Sequence, residues 1–218
     1  MNKEKIKATT MRSYNGVGGS YDSWYWAKGS QELREGLKNE VLNRVNAFSK
    51  GRKPKILDVC CGTGHLAEPL SALGDYLGVD FSESMVAECK KRYPKLEFQL
   101  GDAEDLKFKE NSFDVVVCFW SFHHITAPEK AIECFRKVLK DGGLLIIATF
   151  GPCGLNPLAK LGDWTSTLHY GFKTFRYSER KMQELLKRFN SFEIDKYPDY
   201  LGIWQLMGIS FIIASAHK

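Results

Sequence analysis

Three aspartates stand at matching points of a repeating pattern, and their spacing is the first chemical signal in the chain. Asp58 lies in the apolar run Ile56-Leu57-Asp58-Val59, which leads into Cys60-Cys61-Gly62-Thr63-Gly64. Asp80 ends the segment from Tyr76, and Asp102 follows Leu96 to Leu100 in Gly101-Asp102-Ala103. Each apolar segment reads as a short buried strand that turns toward a helix. In a parallel sheet all three carboxylates then meet at one edge, beside a glycine turn that lets backbone approach a ligand closely. The spacing Gly62-x-Gly64-x-x-Ala67 also satisfies a dinucleotide fingerprint, with Asp80 at about the ribose-binding distance. A nicotinamide-dependent oxidoreductase is therefore a competing expectation. Charge separates the two. A pyrophosphate wants neutral or positive surroundings at a helix terminus, whereas three carboxylates suit a ligand carrying a sulfonium and an ammonium group. Asp80 is expected to accept hydrogen bonds from ribose hydroxyls, and Asp102 to meet an adenine amine. Singly, each aspartate could equally be a helix cap or turn residue; three at successive strand ends fit that account poorly.

A second group of reactive side chains follows the fourth apolar segment, in Phe119-Trp120-Ser121-Phe122-His123-His124. A histidine here could take a proton from a substrate, since its ordinary pKa of about 6.5 suits that task. Adjacent residues point apart, so at most one of His123 and His124 is expected to act. The plain alternative is that the pair starts the next helix.

The elements that must position these groups alternate. A helix is expected from about Gln31 to Phe48, with Leu33, Leu37, Val41, Leu42 and Val45 at helical spacing. Strands are expected at 55–60, 76–80, 96–100, 113–120 and 144–150. Helices lie between them: one through Leu66 and Leu70, one capped by Ser82 and running to about Arg92, and one from Ala127 to Leu139. Asp141-Gly142-Gly143 reads as the turn before the fifth strand. The tail supplies a helix over 178–189 and strand-like segments at 192–197 and 209–215. The fold class is therefore α/β: a Rossmann-like, doubly wound, mostly parallel seven-stranded sheet with an antiparallel last strand. One domain over 1–218 is expected, with the ligand-binding core at 50–150. Residues 1–30, rich in Gly and rings from Tyr14 to Trp26, read as an aromatic lid. Segments 151–177 and 198–208 read as substrate-side caps.

Composition narrows the function classes. Of the 218 residues 44% are hydrophobic and 26% charged, which permits a substantial core, and the formal charge of +5 is mild. Lys and Arg are spread among acids instead of gathering in a stripe, so a nucleic-acid partner is not expected. No apolar run reaches the roughly 18 residues of a membrane span, and no secretory signal follows Met1-Asn2-Lys3-Glu4-Lys5. A cytoplasmic setting is expected. The six cysteines form no C-x-x-C pair, and most sit in apolar stretches as reduced core residues. No metal is expected, with an arsenic- or metal-handling thiol cluster as the alternative.

The segments Leu57-Asp-Val-Cys-Cys-Gly-Thr-Gly64, Gly78-Val-Asp-Phe-Ser-Glu-Ser-Met85, Gly101-Asp-Ala-Glu-Asp-Leu106, Phe113-Asp-Val-Val-Val117 and Leu139-Lys-Asp-Gly-Gly143 resemble class I S-adenosylmethionine-dependent methyltransferases. The likeness covers roughly residues 50–150, and the first segment is similar to the ubiquinone/menaquinone C-methyltransferase (methyltransferase type 11) group. It implies S-adenosyl-L-methionine as cofactor, with S-adenosyl-L-homocysteine as product. Asp58, Gly62 and Gly64 would face the methionine moiety, Asp80 the ribose, and Asp102 the adenine, flanked by Phe81 and Met85. Tyr21, Cys60, Ala103 and Phe119 complete the expected cofactor set. Cys60 stands where the commoner pattern has glycine, which restricts the loop slightly. The family's last two strands form a hairpin at the sheet edge. Methyl transfer from a sulfonium is an in-line displacement, so the protein's main task is alignment, worth about 7–11 kcal/mol of barrier.

The expected acceptor is a small apolar or aromatic molecule, because Trp164, His169, Tyr170, Phe172, Phe175, Tyr177, Tyr200 and Trp204 could line a pocket with the N-terminal rings. They could equally form core or a dimer surface; a monomer and a homodimer both remain open. Nucleic-acid methylation is the main enzymatic rival, although no Asn-Pro-Pro-Tyr-type motif follows the fourth strand. A non-catalytic module that binds the cofactor is the rival from another class.

Overall fold

The computed structural model describes residues 2–17, 21–22, 31–152, 173–197 and 210–218. Its elements, in chain order, are α1 (Lys3–Asn15), α2 (Gln31–Ser49), β1 (Lys55–Val59), α3 (Ala67–Leu73), β2 (Asp75–Asp80), α4 (Glu83–Arg92), β3 (Glu97–Leu100), β4 (Phe113–Phe119), α5 (Pro128–Val138), β5 (Leu139–Phe150), α6 (Glu179–Leu186), β6 (Ser191–Tyr197) and β7 (Phe211–His217). A single 3₁₀ turn, Phe122–His124, follows β4.

The seven strands form one sheet in the order β3-β2-β1-β4-β5-β7-β6. Strands β1 to β5 are mutually parallel, and β7 runs antiparallel to both β5 and β6. The order reverses at β1, whose neighbours are β2 and β4. A crevice therefore opens beyond the carboxyl ends of these strands, the place where such sheets bind ligands.

Alternation along the strands divides the core. Leu57, Val59, Val116, Cys118, Leu145 and Ile147 face one side and pack with Phe135, Met182 and Leu186 of α5 and α6. Ile56, Val115, Val117 and Ile146 face the other side, against Val41, Val45, Leu70 and Cys89 from α2, α3 and α4. Leu33, Leu37, Val41 and Val45 recur every four residues on one stripe of α2 and are all buried. Complete burial of each such side chain contributes about 1.5–3 kcal/mol.

Three boundaries differ from the expectation by more than one residue. Asp141-Gly142-Gly143 is not a turn between helix and strand but a bulge inside β5: Phe113 pairs with Leu139, and Val115 next pairs with Leu144. Gly142 takes φ of +76° there, a conformation that costs glycine little. The last helix stops at Leu186; the apolar rhythm that suggests a longer helix continues into a turn whose Phe189 joins the same core. Strand β7 lies two residues later than expected, spanning Phe211–His217.

Of the rings expected to line a substrate pocket, Phe175 and Tyr177 are described, and both belong to the core under β4. The Tyr177 ring lies 5.0 Å from that of Phe122. Trp164, His169, Tyr170, Phe172, Tyr200 and Trp204 lie outside the described residues, as do 18–20 and 23–30 of the expected lid. Among the described residues no helix is long and apolar enough to cross a membrane.

Candidate functional site

The carboxyl ends of β1, β2 and β4 and the loop after β3 surround a cleft of about 640 Å³. Of the residues expected at a cofactor site, Tyr21, Cys60, Gly62, Asp80, Phe81, Met85, Asp102 and Ala103 line it together, and His124 joins them. Asp58 and Phe119 line an adjoining recess of about 390 Å³, which shares Tyr21, Cys60, Gly62, Trp120 and Ser121 with the cleft. Gly64 and His123 line neither. Gly64 shapes the turn: its φ is +84°, and a Cβ there would sit 2.8 Å from the Tyr93 ring. His123 is 1% exposed, its ring centroid 4.3 Å from that of Phe150. Neither of its ring nitrogens has a hydrogen-bond partner among the described residues.

Asp80 organises the floor of the cleft. Its Oδ2 accepts from the Gly62 backbone N–H at 2.9 Å, and its Oδ1 accepts from Ser82 N–H at 2.9 Å. Burial pushes its carboxyl up to about 6, against those backbone donors. Asp58, 2% exposed, accepts from the Tyr76 hydroxyl at 3.0 Å. Burial raises it to about 7; the Tyr76 bond opposes that shift and the nearby charge of Asp80 adds to it. Ser82 caps α4 by accepting from Met85 N–H at 3.3 Å, which holds Met85 against the cleft.

Asp102 is not a bare acid. Lys7 of α1 pairs with it and with Glu104, the latter at 2.8 Å. Glu104 Oε1 in turn accepts from the backbone N–H groups of Thr126 at 2.8 Å and Ala127 at 2.9 Å, and from the Thr126 hydroxyl at 2.8 Å. Burial would raise Glu104, but Lys7, Ala127 and Thr126 outweigh it and hold the carboxyl below its usual range. Asp80, Asp102 and Glu104 face a single ammonium among the described lining residues, so the cleft keeps an acidic balance.

The N-terminal segment reaches the loops after all four of the first strands. Lys7 reaches the loop after β3, and Tyr14 Oη lies 2.8 Å from His124 Nε2 after β4. Beyond β2, Asn15 Oδ1 accepts from Ser82 Oγ at 2.7 Å. Asp22 accepts from Thr63 Oγ1 at 2.8 Å and pairs with Arg92 at 2.6 Å. These contacts are polar, and the Tyr14 ring adds aromatic neighbours in Tyr21 at 5.9 Å and Phe81 at 6.3 Å. Lys7 and Ile125 were the lining residues with no sequence signal. Glu104 lay in view inside Gly101-Asp-Ala-Glu-Asp, with nothing to mark it from its neighbours.

Two non-glycine residues beside the cleft are left-handed, Cys60 with φ of +59° and Trp120 with φ of +53°. Each such residue costs roughly 1–2 kcal/mol, a cost that glycine at position 60 would avoid. The five described cysteines are free. Hydrogen bonding to Cys118 and burial push the Cys60 thiol up, and Cys89 and burial do the same for Cys61. Both behave as small apolar groups.

The family described as "Methyltransferase domain" matches residues 57–147. A demethylmenaquinone methyltransferase of Beutenbergia cavernae is 30% identical over 186 residues, covering 80% of this chain and 76% of that protein. The chain belongs to the class I S-adenosylmethionine-dependent methyltransferases. Among these methyltransferases, the demethylmenaquinone methyltransferase of Renibacterium salmoninarum is 39% identical over 114 residues, 50% of this chain and 48% of that protein. The chain thus matches about half the length of that relative. A solved SAM-dependent methyltransferase of Thermotoga maritima shares the fold with a TM-score of 0.70 at 20% identity, covering 96% of this chain and 99% of its own. The matched region holds Asp58, Asp80 and Asp102, so the acids read from the sequence fall within the methyltransferase family's own span.

Proposed function

We propose that this protein binds S-adenosylmethionine in the β1–β4 cleft and transfers its methyl group to a small, apolar or aromatic acceptor. The observation that carries this reading is Asp80, a buried carboxylate at the end of β2 that braces the Gly62 turn and lines the cleft. The residues fit such a group. A Cβ direction at Gly62 meets nothing within 4 Å, so a ligand can approach the backbone there. Phe81 and Met85 offer apolar faces to a purine beside Asp102 and Ala103, and Asp80 offers charged acceptors to ribose hydroxyls. Asp58 and the Gly62 backbone would hold the amino-acid end across the recess. When bound, the cofactor supplies a methyl group already activated by its sulfonium. The chain's part is to hold the reactants in line and keep water out.

The acceptor we propose is demethylmenaquinone or a ring system of similar character. Its support is the activity named for the relatives and the apolar side chains of Trp120 and Ile125 at the cleft. Residues 1–30 act as the roof, a role supported by the polar contacts of α1, and 151–177 with 198–208 are proposed to close the acceptor side. The test is calorimetric titration of the full chain with S-adenosylhomocysteine and, in parallel, with NADH, followed by a turnover assay with methyl-labelled cofactor and demethylmenaquinone. Binding of the adenosyl ligand with label transfer is expected. Binding of NADH alone would overturn the reading.

A further inference from the structure

Tyr14 and His124 lie 110 residues apart and meet inside the cleft, with Tyr14 Oη 2.8 Å from His124 Nε2. Both line the cavity. Tyr14 is fixed from several sides. Its backbone oxygen accepts from Ser84 Oγ at 3.0 Å, and its ring lies 5.5 Å edge-on to that of His124 and 6.3 Å from that of Phe81. A phenol is a stronger acid than a neutral imidazole N–H, and a neutral imidazole nitrogen is a strong acceptor. The favoured arrangement therefore has the Tyr14 hydroxyl donating to Nε2, with the His124 proton on Nδ1. The hydroxyl proton is then committed, and toward any other group Tyr14 Oη can only accept.

We propose that Tyr14 is a ligand-contacting residue of the cleft, an oriented acceptor-only oxygen, and that His124 is a positioning residue that fixes this orientation and stays neutral. The ligand group it recognises is a hydrogen-bond donor, a hydroxyl or amine of the adenosyl ligand. That identity rests on the proposed function; the Tyr14–His124 pairing does not. The acceptor character matches the rest of the cleft, where Asp80, Asp102 and Glu104 also present acceptor oxygens. Burial pushes His124 down to about 3, so a proton taken from an acceptor would be held poorly there. Among the described residues, the charged and titratable groups that line the cleft with it are those three acids, Lys7, Tyr14, Tyr21 and Cys60, and the His123 ring centroid is 4.2 Å away.

The test combines two measurements on the full-length chain. Long-range nitrogen spectra of histidine-labelled protein, recorded from about pH 5.5 to 8.5, should show His124 neutral with its proton on Nδ1 throughout, and Tyr14→Phe should shift the Nε2 resonance. Titrations with S-adenosylhomocysteine should show Tyr14→Phe and His124→Ala each weakening binding about three- to ten-fold, the loss of one neutral hydrogen bond. The double variant should be no weaker than either single one, and His124→Gln, which keeps an acceptor near Nε2, should recover most of the affinity. A His124 that titrates near 6.5, or carries its proton on Nε2, would overturn the proposal, as would a His124→Gln variant as weak as His124→Ala. Failure of the wild type to bind would count against the proposed function alone, and the spectra would still decide the pairing.

Discussion

Replacing Asp80 with Asn tests whether a buried carboxylate is kept for its ligand at a cost to the fold. Asp80 is 5% exposed, and burial raises its pKa from 3.8 to about 6. A shift of roughly two units corresponds to about 3 kcal/mol of stability lost at neutral pH. Because the folded state binds this proton more tightly than the unfolded chain, the penalty is complete above about pH 6 and vanishes below about pH 4. Asparagine removes it but brings its own cost. The amide oxygen can accept from only one of Gly62 N–H and Ser82 N–H, and an amide donor facing the other costs about 1–3 kcal/mol. The two effects nearly offset, so Asp80→Asn should unfold at pH 7.5 with a free energy between that of the wild type and about 2 kcal/mol above it. Relative to the wild type it should lose ground as pH falls toward 4. Ligand binding has no such offset. Losing charge-assisted bonds to ribose hydroxyls, at about 1.5–3 kcal/mol, weakens S-adenosylhomocysteine binding roughly 10- to 150-fold. Urea denaturation at pH 7.5 and 4.5 and calorimetric titration at pH 7.5, on the same preparations, give both numbers. Binding within threefold of the wild type, or a stability loss beyond about 2 kcal/mol, would refute the reasoning.

Glu104→Ala strands the Thr126 and Ala127 N–H groups and releases Lys7, so a loss of about 2–4 kcal/mol is expected in urea denaturation at pH 7. The Glu104 carboxyl is held below its ordinary value near 4.5. Its contribution is thus present above that value and lost as pH falls through the lower folded value, and the gap between wild type and variant should narrow below about pH 4. Gly64→Ala forces a side chain into φ of +84° and to 2.8 Å from Tyr93; about 1–3 kcal/mol of destabilisation should appear as a lowered urea midpoint. Cys60→Gly relieves a left-handed backbone and should bind S-adenosylhomocysteine at least as well as the wild type. A tenfold loss on titration would mean that the thiol itself contacts the ligand.

The parts of the fold legible in the sequence are those set by short-range physics. Val115–Cys118 is a continuous apolar run, and Ile56–Val59 is one broken only by Asp58, because both faces of the sheet are covered; Leu33, Leu37, Val41 and Val45 repeat at helical spacing because one stripe of α2 is buried. Asp58, Asp80 and Asp102 could be placed near one another because a parallel sheet puts successive strand ends on one edge. What escaped depends on packing between distant segments. Nothing local in Lys3–Asn15 tells that Lys7 meets Asp102 across 95 positions, or that Tyr14 meets His124. Nor does Asp141-Gly142-Gly143 reveal a bulge, since a glycine with positive φ serves turn and bulge alike. Adjacent histidines are expected to point apart, yet these two ring centroids lie 4.2 Å from each other; the two differ in that His124 lines the cleft while His123 packs on Phe150.

The site's charge balance follows from that same N-terminal helix, and so does its thermodynamics. Lys7, Tyr14, Asn15 and Asp22 engage the loops after β3, β4, β2 and β1 in turn. A ligand bound between those loops and the docking of this segment therefore share the same surfaces. By linkage, whatever factor the docked segment adds to ligand affinity, the ligand must add to the segment's own docking. Each contact here is worth little alone: a part-exposed ion pair such as Lys7 with Glu104 contributes about 0–1 kcal/mol, and a neutral hydrogen bond about 0.5–1.5 kcal/mol. Spread over four loops, they can reach a few kcal/mol only when all form together.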